Sequence, residues 1–121
     1  MTENTNRKTY DLEDRSFEFA KRVRAFVKVL ARTLSNVEDA KQLIRASGSV
    51  GANYIEANDA LSKKDFIVRI KICRKEAKES CYWLRLLDTA GNLEAATEQS
   101  LLVRGAAELM NIFGAILRKS E

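Results

Sequence analysis

Four polar side chains interrupt the apolar stripes of the segment Gln42–Leu84: Asn53 and Glu56 in its first half, Glu76 and Glu79 in its second. Clustered carboxylate oxygens suit a hard divalent cation. Glu56, Glu76 and Glu79 are therefore the only donor set here that suggests metal chemistry. Lys71, Lys75 and Lys78 lie close enough in sequence to neutralise them without a metal. The four polar residues also sit among small and large apolar ones, which suits setting helix against helix or subunit against subunit. The chain contains no histidine. That removes the commonest general base, zinc ligand and triad member, and with them the Glu-x-x-His pairs of carboxylate-bridged di-metal bundles. No Walker A loop and no G-x-G-x-x-G run occurs. Cys73 falls on a core stripe, where packing is the expected role rather than nucleophilic attack. The expectation is a non-enzyme with no catalytic residue, metal site, cofactor or small-molecule substrate.

The other chemistry is cationic. The 121 residues carry 21 Lys and Arg against 17 Asp and Glu, a net charge of +4. The excess is local. Arg15 to Arg32 contains six basic residues and one acid, Lys63 to Arg85 eight and three, and Leu86 to the end three and five. Lys64, Lys71, Lys75, Lys78 and Arg85 share one face with Tyr82, a pattern that suits phosphate contact and base stacking. Lys21, Arg24, Lys28 and Arg32 form a second basic row. A solvated helix surface carries the same residue types and is the commoner occurrence.

These rows need helices to hold them. The chain has no proline and five glycines, and is 45% apolar, a composition that favours long helices around one core. Residues 1–11 are expected to form a flexible tail, and 12–119 a single domain. Helix 1 is expected over about Asp14–Leu34, burying Phe19, Val23, Phe26 and Leu30 in 4-3-4 spacing. Ser35 or Asn36 offers the next N-cap. Helix 2 is expected over about Val37–Asn58, with core residues Leu43, Ala46, Val50, Tyr54 and Ala57. Gly48 and Gly51 lie beside that stripe. Each costs roughly 1 kcal/mol in a helix, so either the helix is locally weak or a neighbouring backbone passes close by, the second being favoured. Ser62 caps helix 3, which runs to about Ala90 before Gly91-Asn92 stops it. Helix 4 begins between Leu93 and Gln99 and ends near Arg118, burying Leu102, Ala106, Leu109, Phe113 and Ile116. Four helices with short connections predict an all-α, antiparallel up-down-up-down four-helix bundle.

On a helical wheel, helix 3 carries three faces. Phe66, Ile70, Cys73, Ala77, Leu84 and Leu87 face the core. Ile72, Glu76, Glu79, Trp83 and Leu86 form a second stripe centred roughly 120° away, beyond what one helix of a monomeric bundle needs. With Asn53 and Glu56 this stripe is read as a subunit interface or a device of helix register. The alternative places Trp83 at the edge of the core and leaves the glutamates solvated. The lysine row is the third face. Cys73 and Cys81 are eight residues apart on one helix, about 12 Å and too far for a disulfide. Reduced cysteines, a polar N-terminus and no apolar run of spanning length predict a cytoplasmic protein with no membrane contact.

The segments QLIRASGSVGANYIEAN (Gln42–Asn58) and KKDFIVRIKICRKEAKESCYWLRLL (Lys63–Leu87) resemble bacterial four-helix-bundle proteins related to those encoded within intervening sequences of large-subunit rRNA genes. The most specific parts are V-G-A-N-x-x-E and K-E-A-x-E-x-x-Y-W-L. YDLEDRSFEFAKRV and AAELMNIFGAIL also fit, so the likeness covers nearly all of Tyr10 to Lys119. Ala57 stands where many members have glycine, which bears on the end of helix 2. The resemblance implies a homopentameric ring and supplies no catalytic residue. A related accessory protein of diversity-generating retroelements is a basic pentamer that binds nucleic acid. By that analogy the partners are other copies of this chain and RNA or DNA, the alternative being a protein-interaction scaffold with no nucleic-acid role.

Overall fold

The second, third and fourth helices each begin where a polar side chain takes over a terminal backbone N–H. The computed structural model describes the backbone of residues 3–120 and the side chains of 12–120. Helix α1 spans Glu3–Lys28, α2 Leu34–Asn58, α3 Lys63–Leu86 and α4 Leu93–Ser120. The flexible tail expected at 1–11 lies outside the residues whose side chains are described. The assigned start of α1 precedes the expected Asp14; no proline or glycine occurs before Gly48 to break a helix.

At its other end α1 stops six residues before the expected Leu34. The Val29 and Leu30 amides donate to Phe26 and Val27 carbonyls, both at 3.2 Å, in a tighter final turn. Thr33, and not Ser35 or Asn36, then caps α2: its hydroxyl accepts from the Asn36 N–H at 3.1 Å. Asn36 is buried instead. Its Nδ2 donates to the Ala31 and Asp88 carbonyls at 3.0 and 2.9 Å, and its Oδ1 accepts from the Asp88 N–H at 2.9 Å. One side chain thus fastens the α1–α2 turn to the α3–α4 loop.

Ser62 caps α3 as its sequence implies, accepting from the Asp65 N–H at 3.0 Å. The helix ends at Leu86 rather than Ala90, because Gln99 reaches back from α4. Its Nε2 donates to the Leu84 and Leu87 carbonyls, both at 2.8 Å. Ala90 and Gly91 turn the chain at φ 52° and 78°, and the Asn92 side chain accepts from the Ala95 N–H to begin α4.

Neighbouring helices run antiparallel. Between α1 and α2, Glu13 meets Asn58, Ser16 lies against Gly51, and Arg24 reaches Ile44. Between α2 and α3, Val50 meets Cys73 and Asn53 meets Arg69. Helix α4 closes the square against α3 and α1. Helices α1 and α3 occupy opposite corners. All the expected core residues of α1 and α2 are buried, with Ile70, Cys73, Ala77 and Leu84 of α3 and Leu102, Ala106, Leu109 and Phe113 of α4. Tyr54 and Phe113 meet at the centre, ring centroids 5.9 Å apart. Two expectations shift at the rim. Phe66 is half-buried, and Leu117 rather than Ile116 is the last buried residue of α4. Helix α4 is long and apolar enough to resemble a membrane span, but Leu102, Leu109, Phe113 and Leu117 pack into this core.

Candidate nucleic-acid interface and subunit contact face

On α3 the core face also takes in Ser80, which is fully buried. Its hydroxyl donates to the Glu76 carbonyl at 2.8 Å, so the polar atom needs no outside partner. Burial pushes the Cys73 thiol up to about 12, and its Sγ donates to the Val50 carbonyl at 3.4 Å. A thiol held protonated in this way packs rather than reacts.

The second face lies toward α2. Ile72 and Trp83 are half-buried, while Leu86 remains 48% exposed. The Glu76 side chain is only 17% exposed, with Lys75 Nζ at 3.8 Å from its carboxylate; the same Nζ lies 3.9 Å from Glu79. Burial first, and then the charge of Glu79, push the Glu76 carboxyl above the ordinary carboxylate range, against the pull of Lys75. Asn53 bridges the helices at this face. Its Oδ1 accepts from Arg69 Nη1 at 3.0 Å, and its Nδ2 donates to the Ser49 carbonyl and hydroxyl at 2.9 Å. Arg69, the partner that fixes Asn53, is absent from the sequence-level candidates, because a basic residue on a basic helix gives no signal of its own.

Glu56 is exposed and stands apart. With α2 and α3 antiparallel and Asn53 level with Arg69, Glu56 and Glu76 are displaced in opposite directions, about 15 Å apart along the axes. The three glutamates do not converge, and among the described residues no group of three potential ligands gathers.

The third face is open. Lys64, Lys71, Lys75, Lys78 and Arg85 are exposed. Tyr82 is 56% exposed and stands edge-on to Trp83 at 5.0 Å. Among the described residues, Lys75 is the one member of the row within ion-pair distance of a carboxylate. Lys21, Arg24, Lys28 and Arg32 are exposed as well, but they belong to the opposite corner and do not extend the α3 row. Arg32 sits in the α1–α2 turn and not on the helix expected to carry it. Arg15 and Arg22 are instead committed to α4, through Glu108 at 3.0 Å and Glu98 at 2.9 Å.

A further surface lies between α1 and α2. A groove of about 580 Å³ runs there, with Phe17 and Ile55 on its banks and Gly48 and Gly51 in its floor. Glu13 and Asp14 mark one end, Lys21 and Arg24 the other. A Cβ on Gly51 would stand 3.3 Å from Ser16 Cβ and 3.7 Å from its carbonyl carbon, and one on Gly48 would stand 3.2 Å from Arg24 Nη2. The glycines thus mark close approach: of the α1 backbone at Gly51, of a guanidinium at Gly48. Arg24 is anchored there by donating to the Ala20 and Ile44 carbonyls at 3.0 and 3.4 Å. The signal for this groove in the sequence is Phe17, a large aromatic outside the stripe formed by Phe19, Val23, Phe26 and Leu30.

Residues 8–113 match the family model for the 23S rRNA-intervening sequence protein. Among solved structures, the chain is similar to a protein of unknown function from the S23 ribosomal protein family of Bacteroides thetaiotaomicron. The two share 32% identity over 88% of this chain and 97% of that one, with a TM-score of 0.75. No curated protein matches it. Both the sequence match and the solved relative span most of the bundle, and the chain belongs to the 23S rRNA-intervening sequence protein family.

Proposed function

We propose that this chain is a non-enzymatic, cytoplasmic protein that assembles with its own copies and binds RNA or DNA through the outward face of α3. The observation that carries the reading is the row Lys64, Lys71, Lys75, Lys78 and Arg85, exposed beside an exposed Tyr82. Cations on one helix face track a phosphate backbone, and an aromatic ring among them offers a stacking platform. Self-assembly is supported by apolar side chains left on the surface beside this row, including Val68 and Leu86. A pentameric ring is what the family resemblance implies. Repeating the basic face around such a ring strengthens its local field beyond that of one chain.

A salt titration of RNA and DNA binding tests the reading. Affinity should fall steeply as salt rises, and charge reversal at Lys71, Lys75 and Lys78 should abolish it. Absence of binding at low ionic strength would sink the proposal. The same exposed apolar residues favour a second reading, a protein-interaction scaffold. Under that reading the charge-reversed variant keeps its assembly and its partner.

A further inference from the structure

Two surfaces of this chain remain unpaired and complement one another. The first is the α1–α2 groove. Its banks, Phe17 and Ile55, are 60% and 50% exposed, an unusual state for large apolar side chains facing each other across a trench. At one end stand Lys21, whose Nζ lies 5.8 Å above the Phe17 ring, and Arg24. Arg24 spends two N–H groups on carbonyls, and a guanidinium has five to offer. Among the described residues no carboxylate lies within ion-pair distance of either.

The second is the ridge of α3 that faces outward on the α2 side: Val68, Ile72, Glu76, Glu79, Trp83 and Leu86. Apolar side chains lie before and after two carboxylates that share a single lysine. The groove offers apolar banks next to two cations. An apolar ridge with acids and an apolar groove with bases are matched in both respects.

We propose that the α3 ridge of one copy seats in the α1–α2 groove of the next, with Glu76 and Glu79 against Lys21 and Arg24. The proposal rests on the self-assembly reading above and specifies its contact. It also accounts for a local cost: Glu76 is largely buried with an acidic neighbour, and two cations from the next subunit relieve that repulsion. The groove lies on the α1–α2 side of the bundle and the ridge on the α2–α3 side, so the surfaces are distinct and turned from one another. Such a contact is heterologous. Each copy presents its ridge to one neighbour and its groove to the other, a head-to-tail contact and not a two-fold dimer. The lysine row on the adjoining face of α3 stays open to solvent.

Sedimentation velocity of wild type, Phe17→Glu and Glu79→Lys tests the contact, with circular dichroism to verify that each variant folds. The changed side chains are exposed by 60% and 47%, so the bundle should tolerate both. Each variant alone should fall to monomer mass. Mixing the two should give a dimer that grows no further, because one retains an intact ridge and the other an intact groove. The double variant Lys21→Glu with Glu79→Lys should regain assembly. Variants that keep the wild-type mass, or monomers that stay apart on mixing, would overturn this contact while leaving self-assembly standing. A monomeric wild type would overturn both.

Discussion

At the scale of single residues, the two glycines of the groove floor behave differently from glycines elsewhere. Replacing a helical glycine by alanine ordinarily gains about 1 kcal/mol. At Gly105 the new methyl would meet only Phe19 Cδ1, at 3.8 Å, so Gly105→Ala should stabilise by up to about 1 kcal/mol. At Gly51 it would press on Ser16, whose backbone is held in α1 and cannot step aside. Gly51→Val should destabilise by about 1–3 kcal/mol. Urea unfolding of the two variants measures the contrast, and equal effects would mean that α1 does not crowd α2. Glu76 makes a second test. Its carboxyl binds a proton more tightly in the folded chain than in the unfolded one. The stability tied to that proton is therefore complete at pH below the unfolded value and is lost as pH rises through the folded one. Removing the charge should recover it. In subunits kept monomeric by Phe17→Glu, adding Glu76→Gln should raise stability at about pH 7, with the gain vanishing near pH 3. A gain that does not change with pH would assign the effect to packing instead of charge.

At the scale of the helices, apolar spacing in the sequence set out four elements and most of the core, because a buried stripe must repeat along its own helix. Phe19, Val23, Phe26 and Leu30 are buried as their spacing implies. The ends were less legible. That of α3 is set by a side chain distant in sequence, and the turn after α1 is tied to a distant loop, so no local window contains both partners. Asn36 looks like a cap for its own helix, yet it binds Asp88, 52 residues on. Gln99 looks like a solvated polar residue, yet it holds the last carbonyls of α3. The candidate surfaces divide in the same way. The lysine row is legible on a wheel, since exposure needs no partner, whereas the groove exists only once α1 and α2 are side by side. Asn36→Ala should show what the long-range bracket contributes. It deletes three hydrogen bonds at once and leaves the Asp88 amide and two carbonyls unmatched. A loss of about 1–3 kcal/mol in urea unfolding is expected. A loss near zero would mean that water replaces the side chain and that the turn and loop hold together without it.

For the whole molecule, the decisive property is where unbalanced charge remains after the helices pair. Helix α4 carries acids that bind Arg15 and Arg22 of α1, so part of the basic excess of α1 is used internally. Lys71 and Lys78 have no such partner among the described residues. Charge left over in this way is available to an external polyanion, and each phosphate it contacts releases condensed counterions on binding. The salt dependence of binding therefore counts the contacts, and it can separate the two basic corners. Lys71→Gln with Lys78→Gln should lower the steepness of log affinity against log salt by about 2 per subunit engaged, reading the change as about one per lost phosphate contact. Lys28→Gln with Arg32→Gln removes the same charge from the opposite corner. It should lower affinity slightly through the overall field and leave the steepness nearly unchanged. If the two pairs reduce the steepness equally, polyanion is held by diffuse charge over the whole bundle, and α3 is not the contact face. If neither pair changes it, the lysine row is only a solvated surface.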